Sequence, residues 1–404
     1  MQAHWRALTV LTVARTSMGF QFQSIASVSP ELVMQLGLSY ADLGTLIGLY
    51  FLPGLALALP GAALGRHFGD KRVVSFGLLL MVAGGLATTW ASDFASLAAA
   101  RLLSGVGGVL LNVLMAKMVT DWFAGRREIV LAMAVFVNSF PIGVGLATLS
   151  LGTLAGLAGW SASFAATAAL ALAALLLLTL AYAKHPNDGI GTTAGGVISA
   201  SEAMLVCLAG AVWGIFNGAF AVMFGFAPTF LAGEGLNPTQ AGLLVGIATW
   251  LVAASAPVGG IVAQTWGRLA MLMAVGALGW AACLATLALA VGFAGPALIS
   301  AGLLMGLPIG VIMSMPSQAL RPESRAVGMG LFYTWLYIGH GLMPPTAGWL
   351  QDLTGSAELP LLLTAMLVGG MLPLYGLFQA VVQRRAAAPA ASDANGPFCN
   401  RVGQ

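Results

Sequence analysis

Two arginines stand where the chain is otherwise apolar. Arg15 and Arg101 each lie within a long hydrophobic run, and no aspartate or glutamate is clearly placed inside such a run to neutralise them. At the centre of a membrane helix each guanidinium costs about 2.5–3.5 kcal/mol, so something must offset the pair. Arginine's planar fork holds carboxylate-like oxygens two at a time, and a cavity that receives an anionic solute would satisfy both. Two other readings stay open: Arg101 bonding backbone carbonyls as a brace, and Arg15 reaching out to headgroup level.

Helical spacing gathers further polar groups around them. At about 100° per residue, Arg101 shares a line with Gly105, Gly108 and Asn112, and Arg15 shares one with Gly19, Phe22 and Ala26, flanked by Gln21 and Gln23. Gly210, Trp213, Asn217, Phe220 and Phe224 form a third stripe, and Asn138 precedes Pro141. Gln21, Asn112, Asn138 and Asn217 are therefore candidate donors or acceptors for a solute, with Trp213 and Tyr337 as walls. Aromatic stripes more often mark packing than binding, which leaves Phe220 and Phe224 outside the candidate site. Tyr333, Tyr337, His340 and Pro344 share a face. His340, with a reference pKa of about 6.5, is the candidate proton carrier; a neutral ring bonded to a tyrosine is the alternative. Lys117, beside Asp121, reads as structural.

These residues need a scaffold, and composition names its kind. Of 404 residues, 59% are hydrophobic and 7% charged, with 53 glycines; soluble domains carry about 25% charged residues. A formal charge of +3 is too small for a nucleic-acid footprint. The three cysteines give no disulfide framework. A span needs about 20 apolar residues, which predicts an all-α membrane protein with twelve spans near 8–29, 41–63, 73–91, 95–120, 127–150, 160–183, 203–228, 239–262, 269–291, 295–319, 326–350 and 360–382. The first is read as a retained helix rather than a signal peptide, having no convincing cleavage site.

Alternate loops then collect 13 of the 16 basic residues, which the positive-inside rule places in the cytoplasm together with both termini. The expected setting is a bacterial inner membrane. The opposite loops carry Glu31, Asp42, Asp93, Glu234, Asp352 and Glu358.

A shift of 198 residues pairs Pro30 with Pro228, Gly37 with Gly235, Gly44 with Gly242, Gly48 with Gly246, Gly69 with Gly267, Gly108 with Gly306, Arg127 with Arg325 and Gly143 with Gly341. One constant offset across helix ends and loops implies two pseudo-symmetric six-helix halves of like orientation, with the solute site between them. The expected organisation is a first half over 1–183, a cytoplasmic linker over 184–202, a second half over 203–385 and a disordered tail over 386–404.

The segment Gly61-Ala-Ala-Leu-Gly65-Arg66-His67-Phe68-Gly69-Asp70-Lys71-Arg72 between spans 2 and 3 resembles the cytoplasmic signature loop of the major facilitator superfamily. A degenerate copy runs from Gly259 to Arg268 after span 8. Arg101-Leu-Leu-Ser-Gly105-Val-Gly107-Gly108 in span 4 is similar to that family's membrane-embedded Arg-x-x-x-Gly-x-Gly pattern. Asp70 stands where the loop departs from the usual position of its acid, and span 5 lacks the Gly-Pro pair of the drug antiporters. Arg15 in span 1 suggests the cyanate and nitroimidazole transporter-like branch. The resemblance implies a secondary carrier whose spans 1, 4, 7 and 10 line a central cavity, with Arg66, Asp70, Lys71 and Arg72 biasing a cytoplasmic gate.

No catalytic constellation, phosphate loop or metal motif occurs, so neither enzyme chemistry nor a cofactor is expected. A sensor would require a signalling domain, for which about 20 residues after Arg385 leave no room. The expected function is alternating-access transport of a small anion by a single chain in the bilayer, with a possible coupling proton. The alternative is proton-coupled efflux of drug-like amphiphiles, for which a carboxylate would be expected in the cavity.

Overall fold

A computed structural model describes residues 2–185 and 198–392; most of the expected linker, 186–197, and the end of the expected tail, 393–404, lie outside the described residues. The helices are α1 (Ala3–Ser27), α2 (Ser29–Leu36), α3 (Tyr40–Gly48), α4 (Gly54–Phe68), α5 (Asp70–Thr89), α6 (Phe94–Phe123), α7 (Ile129–Ala158) and α8 (Trp160–Ala181). The second half contributes α9 (Ala200–Gly233), α10 (Pro238–Trp266), α11 (Leu269–Leu289), α12 (Ala294–Met305), α13 (Leu307–Ala319), α14 (Arg325–Thr354) and α15 (Leu359–Ser392). They make twelve passes, because α2 prolongs the pass of α1 beyond Val28, and α3 with α4 and α12 with α13 are single passes broken in the middle.

Local signals set the ends. Ser39 with Asp42, Asp93 with Ser96, and Ser199 with Glu202 form capping boxes at the starts of α3, α6 and α9, satisfying amides that a helix leaves free. Two repeat-related glycine pairs turn the chain at matching points: Gly37 (φ 64°) with Gly235 (φ 91°), and Gly69 (φ 87°) with Gly267 (φ 63°). Side chains rarely tolerate these angles. The break in the second pass runs through Leu49–Pro53, and Pro53 brings no amide to continue a helix.

Among the described residues, nine helical segments are long and apolar enough to cross a membrane. The other three passes, α1, α3 with α4, and α14, carry Arg15, Gln21 and Gln23, the break beside Phe51, and Tyr337 with His340. Their polarity is explained by position: they pack on one another and on α7 and α9, shielding backbone and side chain from lipid. Large apolar side chains such as Leu157, Leu180 and Trp90 face outward, as expected where lipid is the solvent.

The repeat is visible as matched packing. In the first half α1 meets α7, where Gly19 and Gly143 leave room for the backbone of Phe140 and Thr16. In the second half the equivalent pair is α9 with α14, where Gly214 and Gly339 lie backbone to backbone. Between halves, Gly44 and Gly48 of α3 sit against Pro344, Pro345 and Gly341 of α14, and their repeat mates Gly242 and Gly246 of α10 sit against Thr148 and Leu149 of α7. Small residues at these crossings let helices approach closely.

Both seams lie toward the end carrying Glu31, Asp42 and Asp352, the acidic end. Polar bonds reinforce them: Asp352 accepts from the amides of Tyr40 (3.0 Å) and Ala41 (2.7 Å), Ser29 pairs with Thr229 (2.6 Å), and Gln23 donates to the Phe224 carbonyl (2.8 Å).

Gly339→Val would drive a side chain into the Gly214 backbone, whereas Gly369 has open space around it. Overpacking costs about 1–3 kcal/mol. Thermal unfolding in detergent is expected to show a clear fall in Tm for Gly339→Val and none for Gly369→Val.

Candidate functional site

A cavity of about 140 Å³ lies between the halves. Arg15 and Met18 of α1, Phe51 of the α3–α4 break, Asn112 of α6, and Asn138 and Phe140 of α7 face it from the first half. Trp213, Asn217 and Phe220 of α9, Ile309 of α13 and His340 of α14 face it from the second. No Asp or Glu is among the described residues that line it.

The Arg15 guanidinium is only partly satisfied. Its Nη1 donates to Asn112 Oδ1 at 2.8 Å, and its carbon lies 4.7 Å from the centre of the Phe136 ring, a cation–π distance. Its Nε, although buried, has no hydrogen-bond partner among the described residues. Asn112 in turn donates through Nδ2 to the Tyr337 hydroxyl at 3.2 Å, which links α6 to α14 across the halves. Tyr337 therefore stands behind Asn112 rather than in the cavity wall.

His340 and Trp213 carry the other orphaned atoms. His340 is 2% exposed, and its Nδ1 lies 3.3 Å from the Leu336 carbonyl. A carbonyl can only accept, so in a neutral ring the proton sits on Nδ1 and Nε2 is an acceptor. That Nε2 is buried without a partner, as is the Trp213 indole N–H. The His340 ring is 4.3 Å from Phe51 and 5.6 Å from Phe22; the indole stacks on Phe216 and Phe332. Asn217 donates to the Trp213 carbonyl at 2.8 Å. Asn138 makes no side-chain hydrogen bond among the described residues.

Arg101 and Gln21 do not reach this cavity, which corrects the expectation that both would meet the solute. Arg101, 3% exposed, donates Nε to the Leu46 carbonyl (3.1 Å), Nη1 to the Gln21 carbonyl (2.8 Å) and to Ser24 Oγ (3.4 Å), and Nη2 to the Phe22 carbonyl. The Tyr50 ring lies 4.6 Å from its carbon. Every nitrogen is occupied, so it is a brace joining α6 to α1 and α3. Gln21 donates to the Met81 carbonyl at 2.9 Å and ties α1 to α5. The line from Arg101 through Gly105 and Gly108 faces Leu49 and Tyr50, and only its last member, Asn112, meets the cavity.

The proposed gate residues sit at the basic end. Asp70 pairs with Lys117 at 2.6 Å, Lys117 pairs with Asp121 at 2.9 Å, and Lys71 donates to the carbonyls of Thr179 and Tyr182. These bonds stay within the first half, while Arg66 and Arg72 are exposed. Glu202 plays the matching structural part in the second half, accepting from Arg321 and Ser324.

Residues 11–344 match the family model of the Major Facilitator Superfamily. The chain belongs to this superfamily. As a superfamily member it is an integral, multi-pass membrane protein of a transporter family, and solved transporters share its fold. A bacterial homolog of the human lysosomal transporter Spinster, inward-facing and unoccupied, aligns with a TM-score of 0.80 at 17% identity, covering 95% of this chain and 98% of that one. A POT family transporter in complex with 5-aminolevulinic acid aligns with a TM-score of 0.75 at 11% identity, covering 93% and 96%.

Among curated superfamily relatives, the cyanate transport protein CynX of Escherichia coli is 28% identical over 126 residues, 31% of this chain and 33% of the relative. The multidrug transporter mfsC of Aspergillus fumigatus is 25% identical over 145 residues, 36% of this chain and 28% of the relative. The matched stretches thus span about a third or less of the relatives' lengths.

Met18, Phe51, Phe140 and Phe220 are wall residues that sequence reasoning missed. Met18 lies one turn from Arg15, and Phe220 lies on the very stripe that carries Trp213 and Asn217. Phe51 gave no periodic signal, because it sits where the helix stops.

Arg101→Met would leave carbonyls on two helices without their charged donor, a loss of about 1–3 kcal/mol. It is expected to lower the unfolding temperature markedly while ligand affinity per folded molecule stays nearer wild type than in Arg15→Gln. Calorimetric unfolding and titration of the same preparations would check this.

Proposed function

We propose that this superfamily member is a secondary carrier that moves a small anionic solute by alternating access, its halves rocking about the central cavity. The observation that carries the reading is Arg15: a cation faces the cavity with an unpartnered N–H and no lining carboxylate among the described residues. A buried charge without a counter-ion is costly, and a bound anion supplies one. Asn112, Asn138, Asn217 and Trp213 stand around the same space as orienting groups.

The resemblance to the cyanate transport protein supports a small anion. The seams at the acidic end, together with the fold likeness to an inward-facing transporter, support a state closed at the acidic end and accessible from the basic end. The basic loops would face the cytoplasm of a bacterial cell, together with both termini. The geometry favours a neutral His340 that accepts a hydrogen bond over one that carries a proton, since no lining carboxylate among the described residues would stabilise an imidazolium.

Efflux of amphiphilic drugs is the reading favoured by the aromatic walls and by the likeness to mfsC. The two differ in what Arg15 does. A panel of small anions is expected to raise the unfolding temperature of the wild-type protein by mass action, and to drive uptake into proteoliposomes. Arg15→Gln is expected to lose both effects by at least about tenfold in apparent affinity. If only neutral or cationic amphiphiles stabilise the protein, and do so equally in the variant, the anion reading fails.

A further inference from the structure

The cavity's free atoms, its size and its walls narrow the solute beyond its sign. Three buried polar atoms on cavity-lining residues have no partner among the described residues: Arg15 Nε–H and Trp213 Nε1–H, which donate, and His340 Nε2, which accepts in the neutral ring. The residues that carry them line the cavity from α1, α9 and α14. A site that buries unpaired donors and an acceptor selects a ligand that pairs them all, because an analogue lacking one group leaves a desolvated partner behind.

The count of charges is equally restrictive. Arg15 is the one cation among the described lining residues, so a second negative charge on the ligand would be buried unneutralised. A cationic ligand would find aromatic faces but also the Arg15 charge, with no described lining carboxylate to offset it. About 140 Å³ is close to the roughly 150 Å³ that accommodates benzene in an engineered protein cavity. The walls offer Phe51, Phe140, Phe216, Phe220 and Trp213, flat surfaces suited to a ring.

Building on the anion reading above, we propose that the cavity binds a ring-sized monocarboxylate that also carries one hydrogen-bond donor on its apolar body. The carboxylate takes the Arg15 and Trp213 N–H groups, the ring lies among the phenylalanines, and the donor reaches His340 Nε2. His340 is then a specificity-determining residue for the uncharged part of the solute.

Titration calorimetry of the full chain in detergent, with benzoate, its three hydroxy isomers, phthalate and benzylamine, tests this. Benzoate is expected to bind and benzylamine and phthalate to bind at least about tenfold more weakly. One hydroxybenzoate isomer is expected to bind about tenfold more tightly than benzoate. His340→Phe keeps a flat ring against Phe51 and removes the acceptor; it is expected to erase that advantage, so that the preferred isomer and benzoate bind within about threefold of each other. His340→Met serves the same purpose should the phenylalanine variant fail to fold.

A hydroxyl advantage that persists in the folded variant, or equal binding of benzylamine, overturns the proposal. So does Arg15-dependent binding of nitrate or cyanate with no binding of any ring acid, an outcome that leaves the anion carrier standing. Failure of every anion overturns both.

Discussion

The cavity exists because Arg101 does not line it. Its guanidinium gathers carbonyls of Leu46, Gln21 and Phe22, fastening α6 to α1 and α3 at mid-bundle. Backbone carbonyls in helices already accept one bond, yet each keeps a second lone pair, so a buried arginine can be satisfied without an acid. That fastening fixes the rotation of α1, and Arg15, about two turns earlier, is thereby turned toward the other half. One arginine is consumed by structure so that the second can remain incomplete.

The contrast between the two arginines is a contrast in what lies opposite each. Arg101 meets the backbones of its own half, whereas Arg15 meets one amide, one ring face and empty space. The Asn112 amide is fixed in orientation by its two neighbours, accepting from Arg15 and donating to Tyr337. It therefore joins the charged residue of one half to the aromatic face of the other. Any movement between halves must pass through this relay or break it.

Much of this could be read from the sequence, and the limits are physical. Hydropathy located the passes, and the 198-residue offset foretold the matched turns at Gly37 and Gly235 and the matched seams at Gly44 and Gly242. The stripes correctly carried Arg15, Asn112, Asn138, Trp213, Asn217 and His340 to one cavity. Periodicity reports which residues share a face, however, and not what that face meets; the Arg101 stripe was expected to meet a solute and is met instead by Tyr50 and the chain just after α3. Phe51 was invisible because a pattern that depends on regular helix cannot describe a residue at its interruption. Phe220 was set aside because packing and binding make the same stripe.

The two seams that hold the halves together set glycines against proline and backbone, reinforced by a few side-chain hydrogen bonds from Asp352, Ser29 and Gln23. At the glycine contacts backbone meets backbone, so a parting of the halves would chiefly break those few hydrogen bonds. For a carrier that alternates as proposed, those bonds would set much of the gap between the sealed and the unsealed arrangement. A reversal of occupancy from one part in a hundred to ninety-nine requires a differential affinity of about 5.5 kcal/mol, a quantity that a single charge-assisted contact network can supply. Under the proposed mechanism such seams would leave the resting state poised, so that a modest guest would be enough to decide it.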